Sequence, residues 1–398
     1  MAINRRTFLK AAGSLTALAA VSGPGAAASG KIFGQTGVKP DHDRHRRSSG
    51  KKFELEWDNF TGRMKYTFSI SSSSRDTTPI VLTRLSWDGI TGYGEASMPP
   101  YLGESQESAD AFLKRVRQEV LPRFNDPFRM EEILSEVDSL SERDAAAKAS
   151  VDIALHDLCG KIAGLPWWKI WGFNPDSAPC TSFTIGYDPD DDTVLRKTRE
   201  ASWAKVLKVK LGRGDTEDRR MIRLIRSVNQ SVPIYIDANQ GWKDREYVTD
   251  MIGWLKEQGV TMIEQPMDKS DLDSHAWIRE RSPLPIIADE SCQRLADIPR
   301  LRGAFDGINI KLMKCTGMRE AREMVSAAEA LGMRLMMGCM TETSVAISAA
   351  AQLAPKMEWA DLDGNLLLAN DCFSGMKLDD GRITLPEGPG IGAVPLTV

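Results

Sequence analysis

Beyond residue 180, short apolar runs rich in β-branched residues alternate with longer amphipathic stretches. The amphipathic stretches show helical spacing, as in Met221, Ile222, Ile225 and Val228. Each apolar run has the length and composition of a buried strand. The eight runs are 181–186, 206–210, 233–237, 261–264, 285–289, 307–311, 334–338 and 359–363.

The spacing of these runs predicts the fold of this part of the chain. Their last residues, 186, 210, 237, 264, 289, 311, 338 and 363, are 22 to 27 residues apart, which accommodates one strand, one helix and two short loops. Eight parallel strands joined by right-handed helical crossovers close into a (β/α)8 TIM barrel. We therefore predict an α/β protein whose site lies at the carboxyl ends of the strands.

The segment before the barrel has a different pattern. Strand-like alternation at 66–70 and 80–86 leads into a glycine-rich stretch at 92–96, and the chain is helical from there to residue 172. A buried helix is expected over 145–158, with His156 as a hydrogen-bonded structural residue rather than a ligand. The predicted domains are an α+β capping domain over 53–177, the barrel over 178–370 and a C-terminal segment, 371–398, free to pack back on the capping domain.

The first 28 residues have the pattern of an export signal. Arg5-Arg6-Thr7-Phe8-Leu9-Lys10 precedes an apolar, alanine-rich stretch, and Ala26-Ala27-Ala28 supplies small residues for cleavage. This pattern predicts a twin-arginine signal and an exported, periplasmic protein. A membrane anchor is disfavoured because the apolar stretch is short and is broken by glycine and proline. Residues 29–52 are interpreted as a solvated linker, although His42 and His45 could bind a metal.

Composition and charge narrow the class of protein. With 42% apolar and 27% charged residues among 398, the chain is globular and long enough for two domains. The net charge of −4, which becomes −7 without the three basic residues of the signal, argues against a nucleic-acid partner. The six cysteines form no C-x-x-C pair, so a disulfide framework is not expected. We expect a small-molecule substrate and no stable membrane insertion once the signal is removed, with homo-oligomers left open.

Acidic residues at strand ends predict a metal site. Asp237, Glu264 and Asp289 end three consecutive strands, so their carboxylates converge at the barrel mouth. Three ionised carboxylates repel one another and need a cation. An all-oxygen ligand set with room for water or a substrate carboxylate suits Mg²⁺ better than zinc. We predict that these three residues bind Mg²⁺.

Lysines flank the predicted metal ligands on both sides. Lys208 and Lys210 lie two residues apart on one strand and therefore point to the same side of the sheet. A neighbouring ammonium and a divalent cation each lower the pKa of a lysine, so we expect Lys208 to tune Lys210, which reacts. Lys311 approaches the metal from the opposite flank. Lys314, off the strand, is interpreted as a surface or loop residue.

Two amines on opposite sides of a metal-bound carboxylate define a reaction. One amine removes the proton α to the carboxylate, and the other returns a proton to the opposite face, which inverts the carbon. The alternative is a non-catalytic network of salt bridges between lysines and carboxylates. That alternative gives no reason for the cluster to lie at the barrel mouth.

Taken in order along the chain, these motifs resemble the muconate-lactonising-enzyme subgroup of the enolase superfamily. The resemblance extends from about residue 53 to the C-terminus. Enolase-superfamily sites use a lysine or histidine base together with Mg²⁺. The motifs that carry the resemblance are Lys208-Val209-Lys210, Asp237-Ala238-Asn239, Glu264-Gln265-Pro266, Asp289-Glu290-Ser291 and Ile310-Lys311-Leu312.

Within that subgroup, Asp361-Leu362-Asp363 resembles the Asp-x-Asp of dipeptide epimerases. Two carboxylates spaced by two on a strand face the same way and can hold an α-ammonium some distance from the metal. The resemblance also implies that Thr184 and the segment 338–342, with Cys339 and Met340, line the substrate pocket. An acidic pair at a strand end that faces solvent is the alternative.

A loop of the capping domain is expected to set specificity. The commonest dipeptide epimerases act on L-Ala-D/L-Glu, and an arginine in this loop holds the side-chain carboxylate. Arg75 is the nearest candidate here, whereas Ser73 aligns closer to the usual position, so an acidic and a hydrophobic or small second residue both stay open. The loops around 71–76 and 98–101 are expected to close over the substrate.

The leading hypothesis is an exported, Mg²⁺-dependent dipeptide epimerase, with L-Ala-D/L-Glu from murein peptides as a candidate substrate. Cycloisomerisation, acid-sugar dehydration and N-acylamino-acid racemisation use the same fold and metal and stay open. A non-catalytic exported carboxylate-binding protein is the third hypothesis. The presence of both lysines together with all three metal ligands argues against it.

Overall fold

An antiparallel sheet of three long strands, in the order β1-β2-β3, opens the described part of the chain. The computed structural model describes residues 52–71 and 73–396, so the predicted signal, nearly all of the predicted linker and Ser72 of the capping loop lie outside the described residues. The strands are β1 (Glu54–Ser69), β2 (Ser74–Trp87) and β3 (Ile90–Ser97).

Four helices complete this first domain, and the longest packs directly on the sheet. They are α1 (Gln106–Arg115), α2 (Met130–Ser139), α3 (Ala145–Ala163) and α4 (Trp167–Ile170). The approach of α3 to β3 requires glycine, since a Cβ at Gly94 would lie 1.9 Å from the backbone oxygen of Ser150. His156 on α3 is buried, with Nδ1 2.9 Å from the backbone oxygen of Asp152, as expected for a structural histidine.

Eight parallel strands form the second sheet, in the order of the chain from β4 to β11. A parallel bridge between Thr181 and Ala360, with the amide of Ser182 2.9 Å from the oxygen of Ala360, joins its two edges and closes the barrel. The predicted TIM barrel with a capping domain is therefore confirmed. The strands are β4 (Phe183–Ile185), β5 (Leu207–Lys210), β6 (Ile234–Asp237), β7 (Val260–Glu264), β8 (Ile286–Ala288), β9 (Gly307–Ile310), β10 (Arg334–Gly338) and β11 (Trp359–Asp361).

Helices connect successive barrel strands and cover the outside of the barrel. Side-chain caps fix several of their starts, for example Asp244, whose carboxylate accepts from the amide of Tyr247, and Thr343, whose hydroxyl accepts from the amide of Val345. The helices are α5 (Asp191–Glu200), α6 (Asp215–Val228), α7 (Arg245–Glu257), α8 (Leu272–Arg281), α9 (Ile298–Leu301), α10 (Met318–Ala330) and α11 (Ser344–Ala351).

The last segment returns from the barrel to the first domain. The amide of Ile391 donates to Asp157 on α3, and the amide of Trp167 donates to the oxygen of Gly390. Two small antiparallel pairs lie in this segment: β12 (Phe373–Ser374) with β15 (Val394–Pro395), and β13 (Lys377–Asp379) with β14 (Arg382–Thr384).

Single-turn elements occur at Pro100–Leu102, Leu121–Arg123, Pro175–Ser177, Leu295–Asp297 and Ala354–Lys356, with a π-helical turn at Val116–Val120. All six cysteines lie in the described residues and are free thiols, as the sequence predicts. Within the described ranges, no helix is both long enough and apolar enough to span a bilayer.

Candidate active site

The charged residues singled out in the sequence meet at one end of the barrel. Asp237 and Glu264 are the last residues of β6 and β7, and they face each other in register. Lys210 ends β5 and is paired in register with Asp237. Asp289 and Lys311 directly follow β8 and β9.

The strand order distributes these residues around the mouth. β5 and β9 lie four strands apart in a closed barrel of eight, so Lys210 and Lys311 enter from opposite sides. The three strands between them, β6 to β8, supply the carboxylate triad. Asp361 on β11 and Thr184 on β4 occupy the part of the ring across from β7 and Glu264.

The triad has the chemistry of a Mg²⁺ site. Asp237, Glu264 and Asp289 are buried, and each offers a carboxylate oxygen within 4.8 Å of the others. Hard oxygen donors from carboxylates suit Mg²⁺, which keeps open positions for water or substrate. Burial, followed by repulsion from Asp237, raises the pKa of Glu264 to about 7. The residues therefore fit a divalent cation, which would stabilise the ionised Glu264.

Gln265 connects the loop that follows β7 to the loop that follows β8 by hydrogen bonds. This buried residue has a backbone φ of +37°, in the left-handed region that non-glycine residues seldom adopt. Its side-chain oxygen accepts from the amides of Asp289 and Ser291, at 3.0 Å each, and its nitrogen donates to Oγ of Ser291. The hydrogen bonds between the Glu-Gln-Pro and Asp-Glu-Ser motifs therefore hold the backbone of two metal ligands, Glu264 and Asp289, in place.

Lys208 is enclosed by carboxylates. Its Nζ lies 2.7 Å from Oε2 of Glu264, 2.8 Å from Oδ2 of Asp361 and 3.2 Å from Oδ2 of Asp237. Burial lowers the pKa of Lys208, but these carboxylates outweigh burial and hold the pKa well above its ordinary range. Lys208 is therefore a fixed positive charge behind the site.

Lys210 lies beside Lys208 on the same face of β5, as the period-two spacing predicts. Its Nζ is 2.6 Å from Oδ2 of Asp237. Burial opposes ionisation of Asp237, but Lys210 and Lys208 lower its pKa to about 2. Lys210 also lines the open cavity at the mouth.

Lys311 and Lys314 both bind Asp289. Nζ of Lys311 is 2.7 Å from Oδ2, and Nζ of Lys314 is 2.6 Å from Oδ1. Lys314 lies in the turn after β9, off the strand as predicted, but it is not a surface residue, because only 3% of it is exposed. The turn after β9 folds the side chain back under the barrel mouth. Burial opposes ionisation of Asp289, but Lys311 and Lys314 hold its pKa well below the ordinary range.

The acidic pair also lies in the cavity wall, although β11 ends at Asp361 and Asp363 follows the strand rather than lying on it. Asp361 accepts from Lys208 and from Oγ of Ser182, at 2.8 Å each, and Asp363 accepts from the amide of Thr184 at 2.6 Å. Burial, followed by repulsion from Asp361, raises the pKa of Asp363 to about 7. Both side chains are buried rather than facing solvent, which argues against a solvated acidic pair.

One cavity collects the two lysines, the acidic pair and the predicted pocket residues. The cavity is narrow and opens to solvent. The lining includes Lys210, Lys311, Asp361, Asp363, Thr184, Cys339, Met340, Thr341, Ser73, Arg75, Phe68, Ile70, Asn239 and Leu367. Glu342, expected in this wall, is instead buried behind it and accepts from the amide of Met340 at 2.8 Å.

The capping sheet reaches the mouth through the turn between β1 and β2. Oγ of Ser71 donates to the backbone oxygen of Asn239 at 3.0 Å, and Arg213 donates to the oxygen of Ile70 at 2.5 Å. Arg75 donates to Oγ1 of Thr341 at 2.8 Å. Met98, at the start of the other expected closing segment, is fully buried in the core. Closure by the 98–101 segment stays a prediction.

Two residues that support the metal ligands were given no role from the sequence. Nδ2 of Asn309 donates to Oε1 of Glu264 at 2.8 Å, and Nδ2 of Asn239 donates to Oδ2 of Asp237 at 3.2 Å. Asn309 lies two residues before Lys311 on one strand, so the period-two rule could have placed it toward the same interior. The one sequence signal that could have placed Lys314 near the metal site is its position three residues after Lys311.

Comparison with known proteins agrees with this geometry. Residues 60–172 match the model of the mandelate racemase / muconate lactonizing enzyme N-terminal domain, and residues 193–396 match the enolase C-terminal domain-like model. The chain belongs to the mandelate racemase / muconate lactonizing enzyme family. An L-Ala-D/L-Glu epimerase from Bacteroides thetaiotaomicron is 54% identical to it over 394 residues, which cover 99% of this chain and 100% of that protein.

Solved structures of this family include proteins with the same fold. The substrate-liganded L-Ala-D/L-Glu epimerase from Bacillus subtilis superposes with a TM-score of 0.81 at 28% identity, covering 87% of this chain and 99% of that one. The dipeptide epimerase from Enterococcus faecalis, complexed with Mg and L-Leu-L-Tyr, gives a TM-score of 0.80 at 29% identity, covering 86% and 99%. One of these two proteins is thus named for L-Ala-D/L-Glu, and the other is complexed with L-Leu-L-Tyr.

Proposed function

We propose that this protein is a Mg²⁺-dependent dipeptide epimerase, which inverts the carbon α to the C-terminal carboxylate by moving protons between its two faces. The arrangement of the barrel mouth carries the proposal. Lys210 and Lys311 enter from opposite strands, with the carboxylate triad between them and the Asp361–Asp363 pair across from it. Relatives named as dipeptide epimerases support the same reaction class.

A dipeptide fits the distribution of charge. Asp237, Glu264 and Asp289 would hold Mg²⁺, which when bound would supply an electrophile for the substrate carboxylate, where negative charge builds up as the α-proton leaves. The carboxylates of Asp361 and Asp363 attract an ammonium at the other end of the ligand. We therefore expect a zwitterion that spans these two ends to have its second α-carbon between the two lysines.

The proton transfers then follow from the two amines. Nζ of one lysine, in its neutral form, takes the α-proton, and the electron pair of the C–H bond moves into the substrate carboxylate. The ammonium of the other lysine delivers a proton to the opposite face and becomes neutral. The roles of Lys210 and Lys311 exchange when the reaction runs in reverse.

L-Ala-D/L-Glu from murein peptides is the substrate we propose within this class. The guanidinium of Arg75 lies in the cavity wall, where it can meet a side-chain carboxylate of the second residue. The 54% identical relative is named for this dipeptide. We also propose export through the twin-arginine route to the periplasm, on the strength of Arg5-Arg6 and the apolar stretch that follows. Cell fractionation of the wild type and an Arg5→Lys, Arg6→Lys variant tests export.

Incubation in D₂O with Mg²⁺ tests the reaction. L-Ala-D-Glu, L-Ala-L-Glu and L-Ala dipeptides with neutral second residues are monitored by mass and by ¹H NMR. We expect one deuterium at the α-carbon of the second residue, accompanied by formation of the other epimer, and fastest turnover with glutamate. N-acetyl-L-Ala-D-Glu, which lacks the ammonium, is the control and should react poorly. No α-deuterium in any dipeptide would exclude the proposed function.

A further inference from the structure

A buried ammonium lies beneath the metal ligands and outside the cavity. Nζ of Lys314 donates to Oδ1 of Asp289 at 2.6 Å, to the backbone oxygen of Asp289 at 2.7 Å and to the backbone oxygen of Asn309 at 3.0 Å. A lysine ammonium has three protons, and these three acceptors account for all of them. Because all three protons are bound within the protein, Lys314 has none left to offer a substrate.

Because of the turn after β9, Lys311 and Lys314 each bind a different carboxylate oxygen of Asp289. The amide of Lys314 donates to the oxygen of Lys311 at 2.9 Å, which places both side chains on one side of the turn. Lys311 then meets Oδ2 and Lys314 meets Oδ1. With Oδ1 and the backbone carbonyl both held, the carboxylate of Asp289 cannot rotate freely.

The same turn is held in an unfavourable backbone conformation. Thr316 is buried with a φ of +63°, which is rare for a β-branched residue. Gly317 has a φ of +119°, and a Cβ there would lie 2.3 Å from Cγ of Asp152 on α3. Asp152 in turn accepts from the amide of Met318 at 2.6 Å. Strain of this kind persists only where surrounding structure enforces it, and here it fixes the position of Lys314.

We propose that Lys314 is a positioning residue of the metal site. By holding Oδ1 and the backbone of Asp289, it leaves Oδ2 on the side of Lys311 and the cavity, and so sets the affinity for the divalent ion. It contacts neither substrate nor reacting atoms. The inference rests on the metal site of the proposed function and is independent of the substrate.

Divalent-ion affinity without substrate is the measurement that tests this role. The dissociation constant for Mn²⁺ is measured by isothermal titration calorimetry for the wild type and Lys314→Met. Partners that orient metal ligands typically contribute about 10- to 100-fold in metal affinity, so we expect a loss of that size. Activity of Lys314→Met should recover when Mg²⁺ is raised to saturation, which a general loss of structure would not allow.

Lys148 provides a matched control. Its side chain is 2% exposed, and its Nζ donates to Oδ1 of Asp138 at 2.9 Å and to the backbone oxygen of Ser141, both in the capping domain. Lys148→Met removes an equally buried, ion-paired ammonium and should lower the melting temperature without changing Mn²⁺ affinity. If Lys314→Met gives no soluble protein, Lys314→Gln replaces it, since it also removes the charge.

The outcomes separate this inference from the proposed reaction. Mn²⁺ affinity within twofold of the wild type in the folded Lys314 variant would overturn the inference, as would an equal loss in Lys148→Met. A wild type without dipeptide turnover, in which Lys314→Met still weakens Mn²⁺ binding, would overturn the proposed function and leave the positioning role intact.

Discussion

Arg75 on β2 donates a hydrogen bond of 2.8 Å to the hydroxyl of Thr341, in the loop that follows β10. This contact joins the capping sheet to the barrel at the rim of the cavity. The guanidinium is thereby held beside the space that the second residue of a dipeptide would occupy. A residue of the capping domain therefore lines the proposed substrate cavity.

We expect Arg75→Met to discriminate against acidic substrates. A hydrogen bond to a charged group contributes about 1.5–3 kcal/mol, so kcat/KM for L-Ala-D-Glu should fall about 10- to 100-fold. The value for L-Ala-L-Leu should stay within about twofold, because an apolar side chain makes no such bond. Thr341→Val, which removes the protein partner and keeps the guanidinium, is the control. Equal losses for both dipeptides in Arg75→Met would contradict an acidic subsite.

Asp363 should make ligand binding depend on pH. Its pKa of about 7, raised by burial and by Asp361, means that the carboxylate is protonated below that pH and no longer attracts an ammonium. The inhibition constant of L-Ala-aminoisobutyrate, which has no α-proton to lose, should therefore rise as the pH falls from 8 to 6.

The Asp363→Asn variant shows whether this residue is the origin of the effect. It should bind the inhibitor more weakly at pH 8, and its inhibition constant should change little over the same range. An unchanged pH profile in Asp363→Asn would assign the titration to another group.

Glu342 should lower stability at alkaline pH. Burial, followed by repulsion from Glu95, raises its pKa from 4.5 to about 8. Between these values the folded protein retains a proton that the unfolded chain releases, so the free energy of unfolding falls as the pH rises through this window.

Glu342→Gln carries a neutral side chain of the same shape and separates this effect from packing. Its melting temperature should match that of the wild type at pH 5. At pH 8.5 it should exceed the wild-type value by a few degrees, which corresponds to about 1–3 kcal/mol in the free energy of unfolding. Differential scanning calorimetry at the two pH values measures the difference. The same offset at both would show that the charge is not responsible.

Mg²⁺ should stabilise the folded chain through the carboxylate triad. A ligand that binds only the folded state at 100 times its dissociation constant adds about 2.7 kcal/mol to the free energy of unfolding. We expect a higher melting temperature with Mg²⁺ than with EDTA, and loss of this difference in Asp289→Asn. EDTA should also abolish turnover, and Mg²⁺ should restore it. A Mg²⁺-induced shift that survives in Asp289→Asn would place the ion elsewhere.

The barrel and the ends of its strands could be predicted because their signal is local. A buried parallel strand is a continuous apolar run, and its first polar residue marks the mouth, as at Asp237 and Glu264. The start of β1 could not be found in this way. Residues 54–65 mix charged, aromatic and glycine residues, since β1 is an edge strand largely exposed on the side away from the core.

Sequence patterns could not predict the contacts of side chains that lie in turns. Lys314 resembles a solvated loop residue in the sequence, and its burial depends on a left-handed Thr316 and on Asp152, more than 150 residues away. Glu342 follows three cavity residues, yet the turn before α11 directs it behind the wall. Such positions are determined by tertiary packing rather than by local spacing.

The opposed placement of Lys210 and Lys311 is tested most directly by α-proton exchange in single variants. In D₂O, Lys210→Met and Lys311→Met should both lose epimerisation, because one of the two transfers is missing. Each variant should still exchange the α-proton of one epimer of L-Ala-Glu, and the two variants should exchange opposite epimers. Exchange of the same epimer by both variants, or of both epimers by either one, would contradict a two-faced mechanism.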